Sequence, residues 1–461
     1  MTGHRERHVI IVGGGASGVL LAYQLLHQPT KIIVTLIEQR PDIGRGIAYH
    51  AGNPDHVLNV RVANMSALPD QPDHFWRWLT SREVDAPLCP DPYCFVPRRI
   101  YGDYIASLLE QRTSDGTGSQ DLSIVHGTCI EISEGLADAS VVLNDGRHLT
   151  GDVVVLATGH DTRIPHRGHA DPWAPPSAAP IDTDAAVLIL GTGLTMVDYV
   201  LSLLRDGHRG PIIAMSRRGL LAKPHRRVDA VKIAEADVPF GLGIGRLLRW
   251  LRDRIDTHVA RGGDWRSVID GLRPYTQRLW RELPAGSKRR FVEHARAWWD
   301  VHRHRMAPEV EARITDALYA GTLSLMAAKV TGIEPNDAGA RVSYRRRGTT
   351  TVDCMQVGAV VDCTGIVKDP RATTNPAVRS LFDQGLARVD PLRIGIETDG
   401  SCAIVHHDGT PSRRLFAVGP LTRAAFWEII AIPDIRNQCA ELASLLARAA
   451  AEPELARRWR G

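Results

Sequence analysis

The stretch VIIVGGGASGVLLAYQL, residues 9–25, constrains the fold more than any other part of the chain. Val9 to Val12 form a β-branched run of the kind a buried parallel strand carries. Gly13, Gly15 and Gly18 follow in GxGxxG spacing, and an apolar helical pattern begins at once. The first glycine makes a tight turn, the second lets backbone approach a pyrophosphate, and the third lets the helix pack close to the strand. Ala16 and Ser17 open the helix, whose unpaired N–H groups and positive dipole end suit phosphate. A second strand, 31–38, ends in Glu38, 20 residues after Gly18, with Gln39 beside it. A carboxylate there holds both ribose hydroxyls and repels a 2′-phosphate, so the spacing predicts FAD or NAD rather than NADP. A glycine-rich structural turn is the alternative, but strand, helix and acid all stand where nucleotide binding needs them.

A second fingerprint, LILGTGLTMVDYV at 188–200, begins its glycines 178 residues after the first. Gly191, Gly193, Leu194 and Thr195 keep the turn, but Met196 replaces the third glycine. That side chain is expected to hold the helix slightly off its strand or to fill a gap. Thr195 adds a hydroxyl donor. The next strand, 211–219, ends in Ser216-Arg217-Arg218, with no acid where Glu38 stood. Guanidinium pairs bidentately with phosphate, so this copy predicts NADPH. The alternative is a degenerate domain kept for its shape, with the arginines on a solvated edge.

The rest of the chain repeats as well. Segments 122–132, 140–149 and 152–159 read as a meander after the first unit, and 323–333, 341–352 and 357–365 read as one after the second. Both close on Thr-Gly, at Thr158-Gly159 and Thr364-Gly365. A later segment, 414–438, carries a strand and Gly419.

This order resembles the two-dinucleotide-binding-domain flavoproteins. The strings GRGIAYH (44–50), LNVRVANMS (58–66), PRRIYGDYI (97–105), GTGLTMVD (191–198), MSRRGLL (215–221) and WEIIAIPDIRNQ (427–438) resemble bacterial FAD/NAD(P)-binding oxidoreductases. That family is distantly similar to flavin-dependent N-hydroxylating monooxygenases. The resemblance implies an α/β fold of two Rossmann-like dinucleotide-binding domains, for FAD and NAD(P), with a helical insertion. Residues 1–165 would begin the FAD domain, 182–365 would form the NAD(P) domain with an insertion at 240–320, and 366–461 would complete the FAD domain. It further implies that the loop from Arg45 through Ala48 to His50, and the run holding Asn59, Val60 and Met65, wrap the flavin. Asn59 is the foremost polar candidate there, with Arg98 and Tyr101 behind it. The helix after Gly419 is expected to aim its N-terminus at the flavin pyrimidine, with Trp427 and Glu428 reaching the substrate; core packing is the alternative for Trp427. Gly419-Pro420 stands where many relatives have Gly-Asp, so the usual carboxylate contact to the ribityl chain is in question.

Composition excludes several classes. The net charge is +4 and no Lys/Arg block occurs, which argues against nucleic acid. No apolar run is long enough to span a membrane. The seven cysteines are scattered and odd in number, the pattern of buried thiols in a reducing, cytoplasmic compartment. Cys89 and Cys94 share the CxxxxC spacing of some redox disulfides, but their proline-rich setting is read as two loop or core thiols. Residues 264–314 read as helices broken near Pro284, with Trp265, Leu272, Leu279, Trp280, Phe291, Trp298 and Trp299 on apolar faces. They either cover the second domain or present Arg296, His302, Arg303 and Arg305 to an acidic substrate. His302 and His304 point apart on a helix, so no metal site is expected. No nucleophile elbow or phosphate loop occurs.

The leading expectation is an FAD-dependent, NADPH-consuming monooxygenase taking molecular oxygen and a small, carboxylate-bearing amine. Catalytic contacts fall to Asn59, Trp427 and Glu428. An NAD(P)H-dependent reductase without oxygen insertion, and a flavin-binding protein with an inactive second site, are the alternatives. A homo-oligomer is compatible with the sequence.

Overall fold

The computed structural model describes residues 6–50, 53–82, 85, 89–114, 121–161, 169–174, 181–365 and 369–451. The chain forms two compact units. Unit 1 comprises Met1–Gly52, Arg61–Asp161 and Val367–Gly461; unit 2 comprises Asn53–Val60 and Thr162–Ile366.

Unit 1 begins with β1 (Arg7–Val12), α1 (Ala16–Leu26) and β2 (Ile32–Glu38). Helices α2 (His74–Thr80) and α3 (Arg98–Ser114) follow, then β3 (Leu122–His126), β4 (Cys129–Glu134), β5 (Ala139–Leu143), β6 (His148–Gly151) and β7 (Val153–Leu156). Val9, Ile10 and Ile11 are fully buried, as an interior parallel strand requires. The segment 122–132, expected as one strand, divides at Gly127-Thr128 and its halves join different sheets. The Gly127 N–H turns back to the Glu38 carbonyl at 3.0 Å, which ends β3 beside β2.

Unit 2 runs from β8 (His169–Ala170) through β9 (Val187–Leu190), α4 (Leu194–Arg205) and β10 (Ile212–Ser216). The insertion supplies α5 (Ile244–Ala260), α6 (Trp265–Leu272), α7 (Thr276–Glu282), α8 (Ala285–Arg290), α9 (Arg296–Arg303) and α10 (Pro308–Tyr319). A π turn, Phe291–Ala295, joins α8 to α9. Strands β11 (Leu323–Asn336), β12 (Gly339–Arg346), β13 (Asp353–Val357) and β14 (Ala359–Asp362) close the unit. The chain then returns to unit 1 as α11 (Pro376–Asp383), β15 (Ala403–Val405), β16 (Pro411–Ala417) and α12 (Ile432–Ala451).

The duplication is visible in strand order. Unit 1 contains β15-β16-β7-β1-β2-β3, and unit 2 contains β13-β12-β11-β10-β9-β14-β8. The core runs β7-β1-β2-β3 and β14-β9-β10-β11 correspond and are parallel throughout. The meanders differ. In unit 1, β4-β5-β6 is a separate sheet packed on the first through Ile132, Val141 and Leu143. In unit 2, β11 is long enough to serve both roles, changing register between Val330 and Gly332.

The insertion has its own core. Val268, Ile269, Leu272 and Leu279 pack with Ile233, Val238 and Leu251, and Trp265 and Trp299 lie against them. Trp280 and Phe291 are buried, but Trp298 is 48% exposed, contrary to expectation. Adjacent helix positions point about 100° apart, so Trp299 turns inward and Trp298 outward. Two of the four basic residues weighed as substrate contacts have carboxylate partners within the insertion. Arg305 is buried and pairs with Asp270 through Nη1–Oδ2 at 3.0 Å and Nη2–Oδ1 at 2.9 Å, while its Nε donates to the His302 carbonyl at 2.8 Å. Arg296 pairs with Asp300 at 3.2 Å. Asp270→Ala strands the Arg305 charge and is expected to lower stability by about 2–3 kcal/mol in urea unfolding, whereas Arg305→Met costs less.

Candidate functional site

At the end of β1 the Gly13 N–H donates to the Ile37 carbonyl at 2.9 Å. Helix α1 then crosses so closely that a Cβ on Gly18 would stand 1.9 Å from the Gly13 oxygen. Gly14, which the sequence reading passed over, matters equally. A Cβ there would meet the Glu38 Cβ at 2.7 Å. Its N–H donates to Glu38 Oε2 at 2.7 Å, and the Arg40 N–H donates to Oε1 at 3.0 Å. A buried carboxylate needs such donors, and each oxygen keeps lone-pair capacity for a diol. Gly15 is the N-cap of α1; no described side chain caps the helix and no acid lies in its first turn. Ala16 and Ser17 begin that turn. The first turn is therefore built to accept a phosphate, with a carboxylate fixed at the neighbouring strand end, which fits FAD.

The loop after β2 folds over this turn. The Gly44 N–H donates to the Gly14 carbonyl at 2.7 Å, and Arg40 Nη1 donates to the Gly46 carbonyl at 2.8 Å. Gln39 and Ala48 are exposed. Arg45 pairs with Asp103 on α3 at 2.6 Å, so it anchors the loop to α3. Met65 is buried, and its carbonyl accepts the Tyr101 hydroxyl at 2.9 Å. Tyr104 bonds the Ala67 N–H at 3.0 Å, and Arg436 Nη1 donates to the Ser66 carbonyl at 2.6 Å. Burial raises the Tyr101 hydroxyl well above its ordinary pKa and pushes that of Tyr104 up to about 12, so both stay neutral.

Asn59 and Val60 fall in unit 2, not with the loop of unit 1. Residues 53–60 are held on α4 and its surroundings by Asn53 to Ser202 (2.8 Å), Arg205 to Asn53 (2.7 Å) and Asp55 to Arg313 (3.0 Å). The Asn59 carbonyl lies 3.0 Å from His225 Nε2.

The return strand β16 runs parallel to β7, and the Val418 N–H donates to the Leu156 carbonyl at 2.9 Å. Gly419 has φ +72, and a Cβ there would stand 2.5 Å from Ser17 Oγ. Its N–H donates to Gln438 Oε1 at 2.7 Å, Gln438 Nε2 donates to Thr422 Oγ1 at 2.9 Å, and that hydroxyl donates to the Gly419 carbonyl at 2.9 Å. This buried ring occupies the Gly419 amide, and Pro420 has no N–H to offer. The helix expected directly after Gly419 is only a 3-10 turn, Gly419–Thr422, and α12 begins at Ile432. Between them Glu428 adopts φ +66, which reverses the chain at an energetic cost of about 1–2 kcal/mol. Trp427 and Glu428 are both buried.

At the end of β7, Thr158 and Gly159 are half-buried and Gly159 has φ +71. His160 follows, and no motif had marked it. Burial, and then the Arg423 charge, push its pKa down to about 4. Asp161 accepts the Thr374 N–H at 3.0 Å and its hydroxyl at 3.1 Å, fixing the exit from the strand.

In unit 2, a Cβ on Gly191 would stand 2.4 Å from the Cys363 oxygen, while Gly193 faces open space. Gly193 is the N-cap of α4, with no described capping side chain and no acid in the first turn. Leu194 and Thr195 begin the helix, and Met196 is fully buried. The Ser216 hydroxyl accepts the Gly219 N–H at 3.0 Å and lies 2.9 Å from Thr192 Oγ1, so it shapes the turn. Arg217 is exposed, and Arg218 donates to the His294 carbonyl of the π turn at 2.9 Å. Guanidinium at this strand end fits NADP. Among the described residues no group of three His, Cys, Asp or Glu could hold a metal, and no helix is long and apolar enough to cross a membrane.

The fold is that of the FAD- and NAD(P)-binding flavin oxidoreductases. Residues 10–161 match the profile of a family described as FAD-NAD(P)-binding. An ornithine N-hydroxylase of Kutzneria sp. 744, solved with reduced FAD, NADP+ and L-ornithine, superposes with a TM-score of 0.65 at 15% identity, covering 96% of this chain and 99% of that one. The ornithine hydroxylase of Pseudomonas aeruginosa gives 0.63 at 14%, covering 97% and 100%. A thioredoxin reductase of Lactococcus lactis gives 0.53 at 14%, covering 96% and 99%. The uncharacterized protein YdhS of Escherichia coli (strain K12) is 23% identical over 214 residues, which are 43% of this chain and 39% of that relative's length.

Two tests follow from this geometry. Gly18→Ala forces α1 off β1 and is expected to cost about 2 kcal/mol or more in chemical unfolding. His160 stays neutral when folded but has an ordinary value of 6.5 when unfolded. The unfolded chain therefore gains a proton first as pH falls, and stability declines from pH 6.5 towards about 4. His160→Asn should flatten that decline in unfolding curves; His8, His74 and His208 shift the same way, so part of the slope remains.

Proposed function

We propose that the protein is an FAD-dependent, NADPH-consuming monooxygenase acting on a small nucleophilic substrate, foremost a carboxylate-bearing amine. One observation carries the cofactor assignment. The two repeats place opposite charges at equivalent strand ends, Glu38 on β2 and Arg217 just past β10, each beside an uncapped helix N-terminus. Glu38 favours a nucleotide with a free ribose diol, and Arg217 favours one with a 2′-phosphate. Bound FAD supplies the electron transfer and oxygen chemistry that no side chain of the protein can supply.

The residues have correspondingly simple roles. Gly13, Gly15, Ala16, Ser17 and Gly18 form the first phosphate turn, with Glu38 on the ribose. Thr158, Gly159, Gly419 and Pro420 line the carboxyl edge of the same sheet, where open α/β sheets bind ligands. Gly191, Gly193, Leu194 and Thr195 form the second turn. Trp427 and Glu428 exclude water and orient substrate; both are buried, and Glu428 holds a left-handed backbone. The likeness to the ornithine hydroxylases supports oxygen insertion over simple reduction. Arg305 is buried against Asp270 and is already occupied, and Arg296 pairs with Asp300 at 3.2 Å.

The test is turnover with NADPH under isotopically labelled oxygen across a panel of diamino acids and simple amines. Label in a hydroxylated product supports the reading. NADPH oxidation that leaves every amine unlabelled, while an electron acceptor is reduced, replaces it with a reductase. Arg217→Ala is expected to weaken NADPH binding about tenfold and leave NADH binding unchanged in direct titrations.

A further inference from the structure

Cys89 and Cys94 are bonded in this structure, correcting their reading as separate thiols. Their Cα atoms are 5.4 Å apart, within the ordinary range for a disulfide. Cys129, Cys363, Cys402 and Cys439 are buried and unpaired, and Cys354 is exposed and unpaired.

The intervening loop is organised by its own turn. The Tyr93 N–H donates to Asp91 Oδ1 at 2.7 Å, and the Cys94 N–H donates to the Asp91 carbonyl at 3.2 Å. Pro90 and Pro92 restrict the same loop. This turn brings the two sulfurs near one another, which favours closing the bond again after reduction, while the bond itself ties the two ends of the loop together. Cys94 is half-buried and Cys89 buried, so Cys94 is the more exposed of the pair.

The loop also grips a neighbour. The Cys94 carbonyl accepts the Val62 N–H at 3.1 Å, and the Pro92 carbonyl accepts the Ala63 N–H at 2.8 Å. The Arg61 guanidinium lies over the Tyr93 ring at 5.3 Å. Residues 61–64 lead into Met65–Ala67, which Tyr101, Arg436 and Tyr104 fasten from the other side. The Cys89–Cys94 loop is therefore one of two clamps on the segment 61–67.

We propose that Cys89–Cys94 is a reversible redox site, reduced by a dithiol, that governs how firmly residues 61–64 are held. Its predicted effect on FAD rests on the first-site reading above. In the step, a thiolate of the reductant attacks Cys94 Sγ and breaks the Sγ–Sγ bond, and Cys89 leaves as a thiolate and takes a proton. The reductant's second thiol then displaces Cys94, which also takes a proton. Two electrons and two protons pass to the chain, and the reductant departs as its own disulfide. The opened loop loses its fixed geometry, and the Val62 and Ala63 amides lose their fixed acceptors. The ring closed by the bond is small, so the consequence is local loosening and not global unfolding.

The experiment uses the full FAD-loaded chain, purified without reductant, with dithiothreitol as the probe. Thiol titration of the denatured protein should find five thiols before treatment and seven after. Amide exchange at Val62 and Ala63 should accelerate about tenfold on reduction and recover on reoxidation. FAD affinity should weaken about fivefold in parallel. The Cys89→Ser/Cys94→Ser double variant should behave as the reduced protein and ignore dithiothreitol. Seven thiols before treatment, or exchange at Val62 and Ala63 unchanged by reduction, overturns the proposal. Faster exchange with unchanged FAD affinity upholds the redox site and removes residues 61–64 from the flavin site instead.

Discussion

The close crossing of α1 over β1 governs the first nucleotide turn. With the Gly13 oxygen 1.9 Å from where a Gly18 Cβ would stand, no side chain fits there. The crossing brings the Gly14 amide onto Glu38, and that amide with Arg40 N–H stabilises a buried carboxylate at the end of β2. Ser17 is carried to Gly419 by the same helix, so the return strand and the first turn meet through two small residues. Position, charge and closure of the site all descend from one absent side chain.

The second copy shows how much of this arrangement a nucleotide turn requires. Gly191 retains the sharp turn, pressed against the Cys363 carbonyl, and Gly193 leaves its approach open. Met196 is simply buried, so the helix is packed by a side chain instead of by direct backbone contact. The phosphate-facing half of the motif is kept while the packing half is replaced. The strand ends then separate chemically, with a buried carboxylate in one copy and an exposed guanidinium in the other. Glu38 corresponds to Ser216 in the second copy and Arg217 stands one residue further on, so opposite charges at corresponding strand ends suit the two similar turns to different nucleotides.

Much of this was legible in the sequence because it depends on neighbours along the chain. Strand, glycine turn, helix and acid lie within thirty-two residues of one another, from Arg7 to Glu38, and the meander and Thr-Gly ends repeat as short local patterns. What escaped depends on distant partners. The sequence does not announce that Asp270 meets Arg305, that Asp103 meets Arg45, or that Gln438 meets the Gly419 amide. Those contacts give Arg305 and Arg45 structural partners that no local pattern marks. That residues 53–60 belong with unit 2 was hidden for a related reason, since they bond to α4 and its neighbours across more than a hundred positions. The Cys89–Cys94 bond was missed because prolines argue correctly against a helix but not against a turn that brings sulfurs together.

The central claim is that two different nucleotides occupy the two copies and that one reduces the other. Anaerobic rapid mixing of the FAD-loaded protein with NADPH, and separately with NADH, tests it most directly through the flavin's visible absorbance. Fast bleaching with NADPH and slow bleaching with NADH is the expected result. Absence of bleaching with either nucleotide, with candidate substrates also present, would contradict it and leave the second turn a structural relic of the duplication.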